Sequence, residues 1–205
     1  MTRIVGGIWG GRRLVTPPGE TTRPTSEKVR AALASSLYAT GGLDGARVLD
    51  LYAGSGALGL ELVSRGAASA VFVERDRAAV TALRSNVATL GAAPAGDRPG
   101  ANPAAGRTGV AAQLTVVAAD VSTIATRSEA AGPFDVVVAD PPYDLATEAL
   151  AELFAGLHAA GRLAPHADLV VERGKKSGEP DWPAPLEAVR ARRYGDTLLC
   201  YGRAP

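Results

Sequence analysis

The chain has 205 residues, 46% of them hydrophobic, which suits one α/β domain with a small appendage and excludes global disorder. Lys and Arg number 22 against 21 Asp and Glu, a formal net charge of +1, so only the distribution of charge can point to a partner. A single cysteine, Cys200, excludes an intrachain disulfide and a Cys-rich zinc site. The start of the sequence lacks the apolar core of a signal peptide, and no run approaches the roughly 18 apolar residues of a membrane span. A soluble cytoplasmic protein is the expectation.

Residues 1–30 differ from the rest, with six cations against two carboxylates, a net +4. Ile4-Val5 and Leu14-Val15 flank a GGIWGG segment and predict a β-hairpin, mobile because few apolar residues hold it. A basic, glycine-rich hairpin carrying Trp9 suits gripping a phosphate backbone and stacking on a base. The alternative is that Trp9 packs back on the domain. Thr25 is placed to cap a helix from about Ser26 to Ala39, with Val29, Leu33 and Leu37 on one buried stripe. Residues 1–40 form an N-terminal extension in this reading, and residues 41–205 the main domain.

From Val48 strands and helices alternate. The predicted strands are Val48–Tyr52, Ala70–Glu74, Leu114–Ala118, Phe134–Ala139 and Ala167–Glu172. Helices are predicted over Ala57–Arg65, Arg77–Leu90, a short stretch ending near Glu129, and Thr147–Ala159. Near-continuous apolar strands separated by helices predict a parallel sheet covered on both faces. Leu186–Arg193 and Thr197–Tyr201 predict a closing antiparallel pair. Gly91–Ala112 is rich in Gly, Ala and Pro, has no periodicity, and reads as a flexible surface insertion.

The segment VLDLYAGSGALGLE, Val48 to Glu61, joins a buried strand to a helix through Gly54, Gly56 and Gly59. Such a turn lets a ligand approach the backbone, and Glu74 follows about 20 residues on, at the end of the next strand, where nucleotide-binding folds hold ribose hydroxyls. Asp50, just before the glycines, would repel a pyrophosphate and suits a cofactor with positive charge there. S-adenosylmethionine has an ammonium and a sulfonium at that end.

Asp140-Pro141-Pro142-Tyr143 follows the fourth strand, at the edge where open α/β sheets bind ligands. An exocyclic amine on a base is a poor nucleophile because its lone pair is delocalised into the ring. The Asp140 carboxylate and the Pro141 carbonyl can accept its hydrogens, and the prolines hold these acceptors in place. Tyr143 can stack on the base, worth about 1–3 kcal/mol.

Together these segments resemble the class I S-adenosylmethionine-dependent methyltransferases with an [N/D]PP[Y/F] motif. IVGGIWGGRRL, RPTSEKVRAALASSL and LDLYAGSGALGLE are similar to segments of the RsmD family, bacterial 16S ribosomal RNA guanine-N2 methyltransferases. The resemblance implies a Rossmann-like seven-stranded, mostly parallel sheet with an antiparallel C-terminal strand. It implies that Gly54, Ser55 and Gly56 wrap the methionine part of S-adenosyl-L-methionine, with Asp50 near its amino group and Tyr52 and Ala53 also in the cofactor site. Glu74 would hold the ribose hydroxyls and Asp120 with Val121 the adenine, Arg75 would belong to the same cofactor site, and Arg23 and Thr25 would help close it. Asp140, Pro141, Pro142 and Tyr143 would receive a flipped guanine. Arg3, Trp9, Arg12, Arg13 and Lys28 would contact RNA. The implied partner is 16S rRNA, in the small subunit or an assembly intermediate, and the implied state a monomer without a metal. The insertion departs from the compact family pattern.

Other readings compete. The same tetrad serves methyltransferases acting on DNA adenine N6 or protein glutamine. The glycine spacing and Glu74 also fit an NAD-binding oxidoreductase, although His158 and His166, the two histidines, are poorly placed to handle a hydride. A non-catalytic RNA chaperone, or covalent chemistry through Cys200, fits the motifs less well.

Overall fold

A computed structural model describes residues 2–18, 26–91 and 112–205. Its main sheet has seven strands: β3 (Arg47–Leu51), β4 (Ser69–Glu74), β5 (Gln113–Ala118), β6 (Phe134–Ala139), β7 (Leu163–Gly174), β8 (Glu187–Tyr194) and β9 (Thr197–Arg203). They lie in the order β5-β4-β3-β6-β7-β9-β8. The pairs from β5 through β7 are parallel, and β9 runs antiparallel between β7 and β8. From β3 the chain first builds outward to β5 and then returns to place β6 on the other flank of β3. That reversal is the topological switch point, where a cleft opens at the carboxyl ends of the strands.

Both faces of the central strands are buried, which is why they read as near-continuous apolar runs. Val48, Phe72, Val136 and Val138 face α1 (Glu27–Ala39) and α2 (Ala57–Ser64), with Leu83 of α3 (Arg77–Gly91) in the same layer. Leu49, Leu51, Val73 and Val137 face Leu150, Phe154 and Leu157 of α4 (Thr147–Ala159). The short helix expected to end near Glu129 is two 3-10 turns, Val121–Thr126 and Ser128–Ala130. The fifth strand is longer than its apolar run, since Leu163 pairs with Phe134 and Gly174 with Thr197. Most of the predicted insertion, residues 92–111, lies outside the described residues.

The N-terminal extension departs from expectation in two ways. Strand pairing is confined to β1 (Thr2–Arg3) and β2 (Arg13–Leu14), not Ile4-Val5 with Leu14-Val15. The hairpin is also docked on the domain. Ile4, Trp9 and Leu14 belong to the core, and the fully buried Glu61 carboxylate accepts from Val5 N at 2.6 Å and Gly6 N at 3.0 Å. Ser64 Oγ accepts from Trp9 N at 2.9 Å and donates to the Gly6 carbonyl at 2.6 Å. A buried carboxylate without donors would be costly, so these backbone N–H groups lock hairpin and helix together. Trp9 is only 3% exposed, so it packs inward and cannot stack on an RNA base. The cap of α1 is Ser26, whose Oγ accepts from Val29 N at 3.2 Å, one residue beyond the expected Thr25.

Candidate active site

The glycine turn follows directly from β3. Tyr52, Gly54 and Gly56 have φ of 59°, 54° and 82°, so three residues within five adopt the left-handed region. For Tyr52, which is not glycine, that conformation is strained and marks a site whose surroundings hold it. Gly54 has open space where a Cβ would stand, whereas at Gly59 a Cβ would lie 2.6 Å from the Phe72 ring and 2.7 Å from Asp50 Oδ2. The third glycine therefore lets α2 press against β3 and β4. Gly59 N donates to Asp50 Oδ2 at 2.8 Å, and Gly54 N to Glu74 Oε2 at 2.9 Å.

Glu74 is oriented from behind, its Oε1 accepting from Arg75 N and Asp76 N, each at 2.8 Å. A carboxylate offers about four lone-pair positions, so capacity remains on the cleft side. Asp120 caps the first 3-10 turn, accepting from Ser122 N at 3.0 Å and Oγ at 2.8 Å, and pairs with Arg75 at 2.9 Å. The Ser122 bonds first, then Arg75, hold its carboxyl below the usual range.

Asp50 carries the opposite perturbation. It is 1% exposed, and burial above all pushes its carboxyl up to about 8, against the Gly59 N–H and with the charges of Asp140 and Glu74 adding to the rise. Three carboxylates thus converge on this end of the cleft, and a ligand carrying positive charge there relieves their repulsion.

The Asp140–Tyr143 loop, the candidate acceptor loop, leaves β6 at Asp140. Pro141 is buried, while Pro142 and Tyr143 face solvent. Leu145 N donates to the Pro142 carbonyl at 3.0 Å, Ser177 Oγ to the Tyr143 carbonyl at 2.9 Å, and the buried Arg173 guanidinium to the Leu145 carbonyl at 2.9 Å. The loop is pre-positioned by β7 and the turn that follows it.

One cleft of about 850 Å³, within the size range of ligand sites, brings these groups together. Of the predicted residues, Asp50, Tyr52, Ala53, Gly54, Ser55, Glu74, Arg75, Asp120, Val121, Asp140, Pro141, Pro142 and Tyr143 line it. Gly56 does not, and serves as the N-cap of α2 behind it. Arg23 and Thr25 lie outside the described residues. Arg3, Arg12, Arg13 and Lys28 are exposed and do not line the cleft, and Arg3 is paired with Glu27 at 3.1 Å. Neither histidine lines it, nor does Cys200, which is buried in β9 with its thiol pushed up to about 12 by burial.

Sequence reasoning missed Thr2, Thr16 and Arg30, which complete the cleft from the N-terminal extension. It also missed Asn86 of α3, which holds Val15 through bonds of 2.8 and 2.9 Å and donates to the Ser55 carbonyl at 2.9 Å. Both could have been found, because Arg30 and Asn86 fall on the buried stripes of their helices.

A family model described as Conserved hypothetical protein 95 matches residues 2–203. Ribosomal RNA small subunit methyltransferase D of Escherichia coli K12 is 35% identical over 193 residues, covering 94% of this chain and 85% of that protein. The chain belongs to the RsmD family. The solved structure of yhhF from Escherichia coli superposes on this RsmD-family chain with a TM-score of 0.77 at 32% identity, covering 100% of this chain and 98% of the other. Magnesium protoporphyrin IX methyltransferase of Synechocystis PCC 6803, solved with bound SAM, shares the fold at 17% identity, with a TM-score of 0.60 over 87% of this chain and 79% of that one. The RsmD-family member described here is a methyltransferase with the class I Rossmann-like fold.

Proposed function

We propose that the chain methylates the exocyclic N2 of a guanine in 16S ribosomal RNA, with S-adenosyl-L-methionine as donor. The observation that carries this reading is the single cleft joining a carboxylate-lined glycine turn to the Asp140–Tyr143 loop, in a chain whose relative is named for ribosomal RNA small subunit methylation. Asp50 and residues 52–56 would hold the methionine end, Glu74 the ribose, and Asp120 with Val121 the adenine. Bound there, the group supplies an electrophilic methyl on a sulfonium.

The protein's part is orientation and proton handling. The target base must leave its stack to reach the loop, and Tyr143, 46% exposed at the rim, offers a stacking surface. The Asp140 carboxylate and the Pro141 carbonyl accept the two amine hydrogens, which turns the nitrogen lone pair toward the donor. As the nitrogen gains positive charge, Asp140 is placed to take its surplus proton. In this reading residues 1–40 serve as an RNA-facing extension of a cytoplasmic monomer, with the exposed Arg12, Arg13 and Lys28 as its contacts.

The test is methyl transfer from labelled S-adenosyl-L-methionine to small subunits from a strain lacking the enzyme, followed by nuclease digestion. Label in N2-methylguanosine is expected. Label confined to DNA adenine or protein glutamine under parallel incubation would move the acceptor and refute the RNA reading. Asp140→Ala is expected to lower turnover at least ~100-fold with the cofactor still bound, and full activity in that variant would sink the assigned role.

A further inference from the structure

The end of β7 and the turn after it lie against the acceptor loop at two points. A Cβ at Gly174 would stand 3.3 Å from the Tyr143 ring, and Ser177 Oγ donates to the Tyr143 carbonyl at 2.9 Å. Between those contacts lie Lys175 and Lys176, both exposed. Their backbone is fixed, since Lys175 N donates to the Asp196 carbonyl at 2.8 Å and Ser177 N to the Gly174 carbonyl at 2.9 Å. Two exposed lysines therefore sit on an ordered turn whose flanking residues, Gly174 and Ser177, lie against Tyr143.

Two other exposed cations on this side of the molecule are already matched, Arg75 with Asp120 and Arg3 with Glu27. Among the described residues, Lys175 and Lys176 form no ion pair, although exposed Glu179 and Asp196 lie on the same and the adjoining turn. Arg192 and Arg193, exposed on edge strand β8, also form none. With β9 between them, β8 lies two strands from β7, about 10 Å at the usual strand spacing. As consecutive residues of a strand, Arg192 and Arg193 point to opposite faces, so one of them at most extends the basic surface from the turn to the edge of the sheet.

Drawing one nucleotide out of an RNA strand leaves its flanking phosphates at the rim of the pocket, and a compact ammonium matches a phosphate as a point charge. We propose that Lys175 and Lys176 clamp the RNA phosphates flanking the flipped nucleotide. This rests on the RNA-methylating reading above and names the contact surface of that same site. The docked hairpin, whose Arg12 and Arg13 do not line the cleft, is then a separate contact.

The test compares wild type with a Lys175→Ala, Lys176→Ala double variant, using small ribosomal subunits as substrate. The KM for subunits should rise about tenfold with kcat within twofold, and the slope of log affinity against log salt should fall by about 2, close to one unit per lost phosphate contact. S-adenosyl-L-methionine affinity and melting temperature should stay at wild-type values, and the Lys175→Arg, Lys176→Arg variant should restore most of the KM. An unchanged KM and salt slope in the alanine variant, with wild type active, would overturn the clamp alone. Wild type that neither binds nor methylates small subunits would overturn the RNA reading and the clamp together.

Discussion

Replacing Asp50 with Asn separates two effects of one carboxylate. Its carboxyl ionises near 3.8 in a free chain and at about 8 in the fold. Between those values the folded state holds a proton that the unfolded state has lost. Stability therefore falls as pH rises through that window, by at most about 1.4 kcal/mol per unit. From pH 5 to pH 8 the ceiling is about 4 kcal/mol, and relaxation with water entry into the cleft reduces the expected loss to about 2 kcal/mol. The amide keeps an oxygen for the Gly59 N–H and never ionises.

Without ligand, D50N should melt about 4–8 °C above wild type at pH 8, with the gap narrowing toward pH 5. Scanning calorimetry across that range reads it directly. Titration calorimetry should show the opposite trend for function, with S-adenosyl-L-methionine bound at least tenfold more weakly by the variant. Wild-type binding below pH 8 should release a proton, seen as a dependence of the heat on buffer ionisation enthalpy. A melting gap independent of pH, or a variant less stable at pH 8, would refute the buried-charge argument. Undiminished cofactor affinity would refute the placement of the carboxylate against a cationic ligand.

Three further substitutions or treatments probe the scaffold. Glu61→Ala removes the acceptor shared by Val5, Gly6 and Arg65 and should cost about 3 kcal/mol, with limited proteolysis then cutting within the hairpin before the domain. Gly59→Ala forces a methyl against Phe72 and Asp50 and should lower stability by about 1–3 kcal/mol in denaturant titrations, together with cofactor affinity. Cys200 is 1% exposed with its thiol at about 12, so thiol reagents at pH 8 should label it only at the rate of unfolding, and rapid labelling of the native protein would contradict its burial.

The strand and helix pattern was legible because burial on both faces leaves runs such as Phe134–Ala139 with a single interpretation, and that strand and α4 have the expected bounds. The glycine turn and the proline tetrad were legible because their backbones need those residue types. The hairpin was misjudged for a physical reason. Its docking depends on Glu61 and Ser64, polar residues on an apolar helix some 55 positions away, and no local pattern announces that backbone N–H groups will satisfy them. Trp9 between paired glycines looks like a presented aromatic until the helix that covers it is known. Arg173 escaped notice for a similar reason, since its partner is a carbonyl in another loop.

The two ends of the cleft are organised on opposite principles. At the acceptor end, the carbonyls of Pro142, Tyr143 and Leu145 are each held by donors from the protein, so the loop needs nothing further to take its shape. At the cofactor end, Asp50 is buried among like charges and Tyr52 is held at positive φ, both unfavourable in isolation. In the proposed reaction, rigidity on one side would orient a weak nucleophile, for which positioning is the main lever on the barrier. Electrostatic strain on the other favours a ligand that brings positive charge into the cleft. The sheet makes both possible at once: β3 carries the strained carboxylate and β6, its hydrogen-bonded neighbour, carries the ordered loop, so the two ends face each other across one strand spacing.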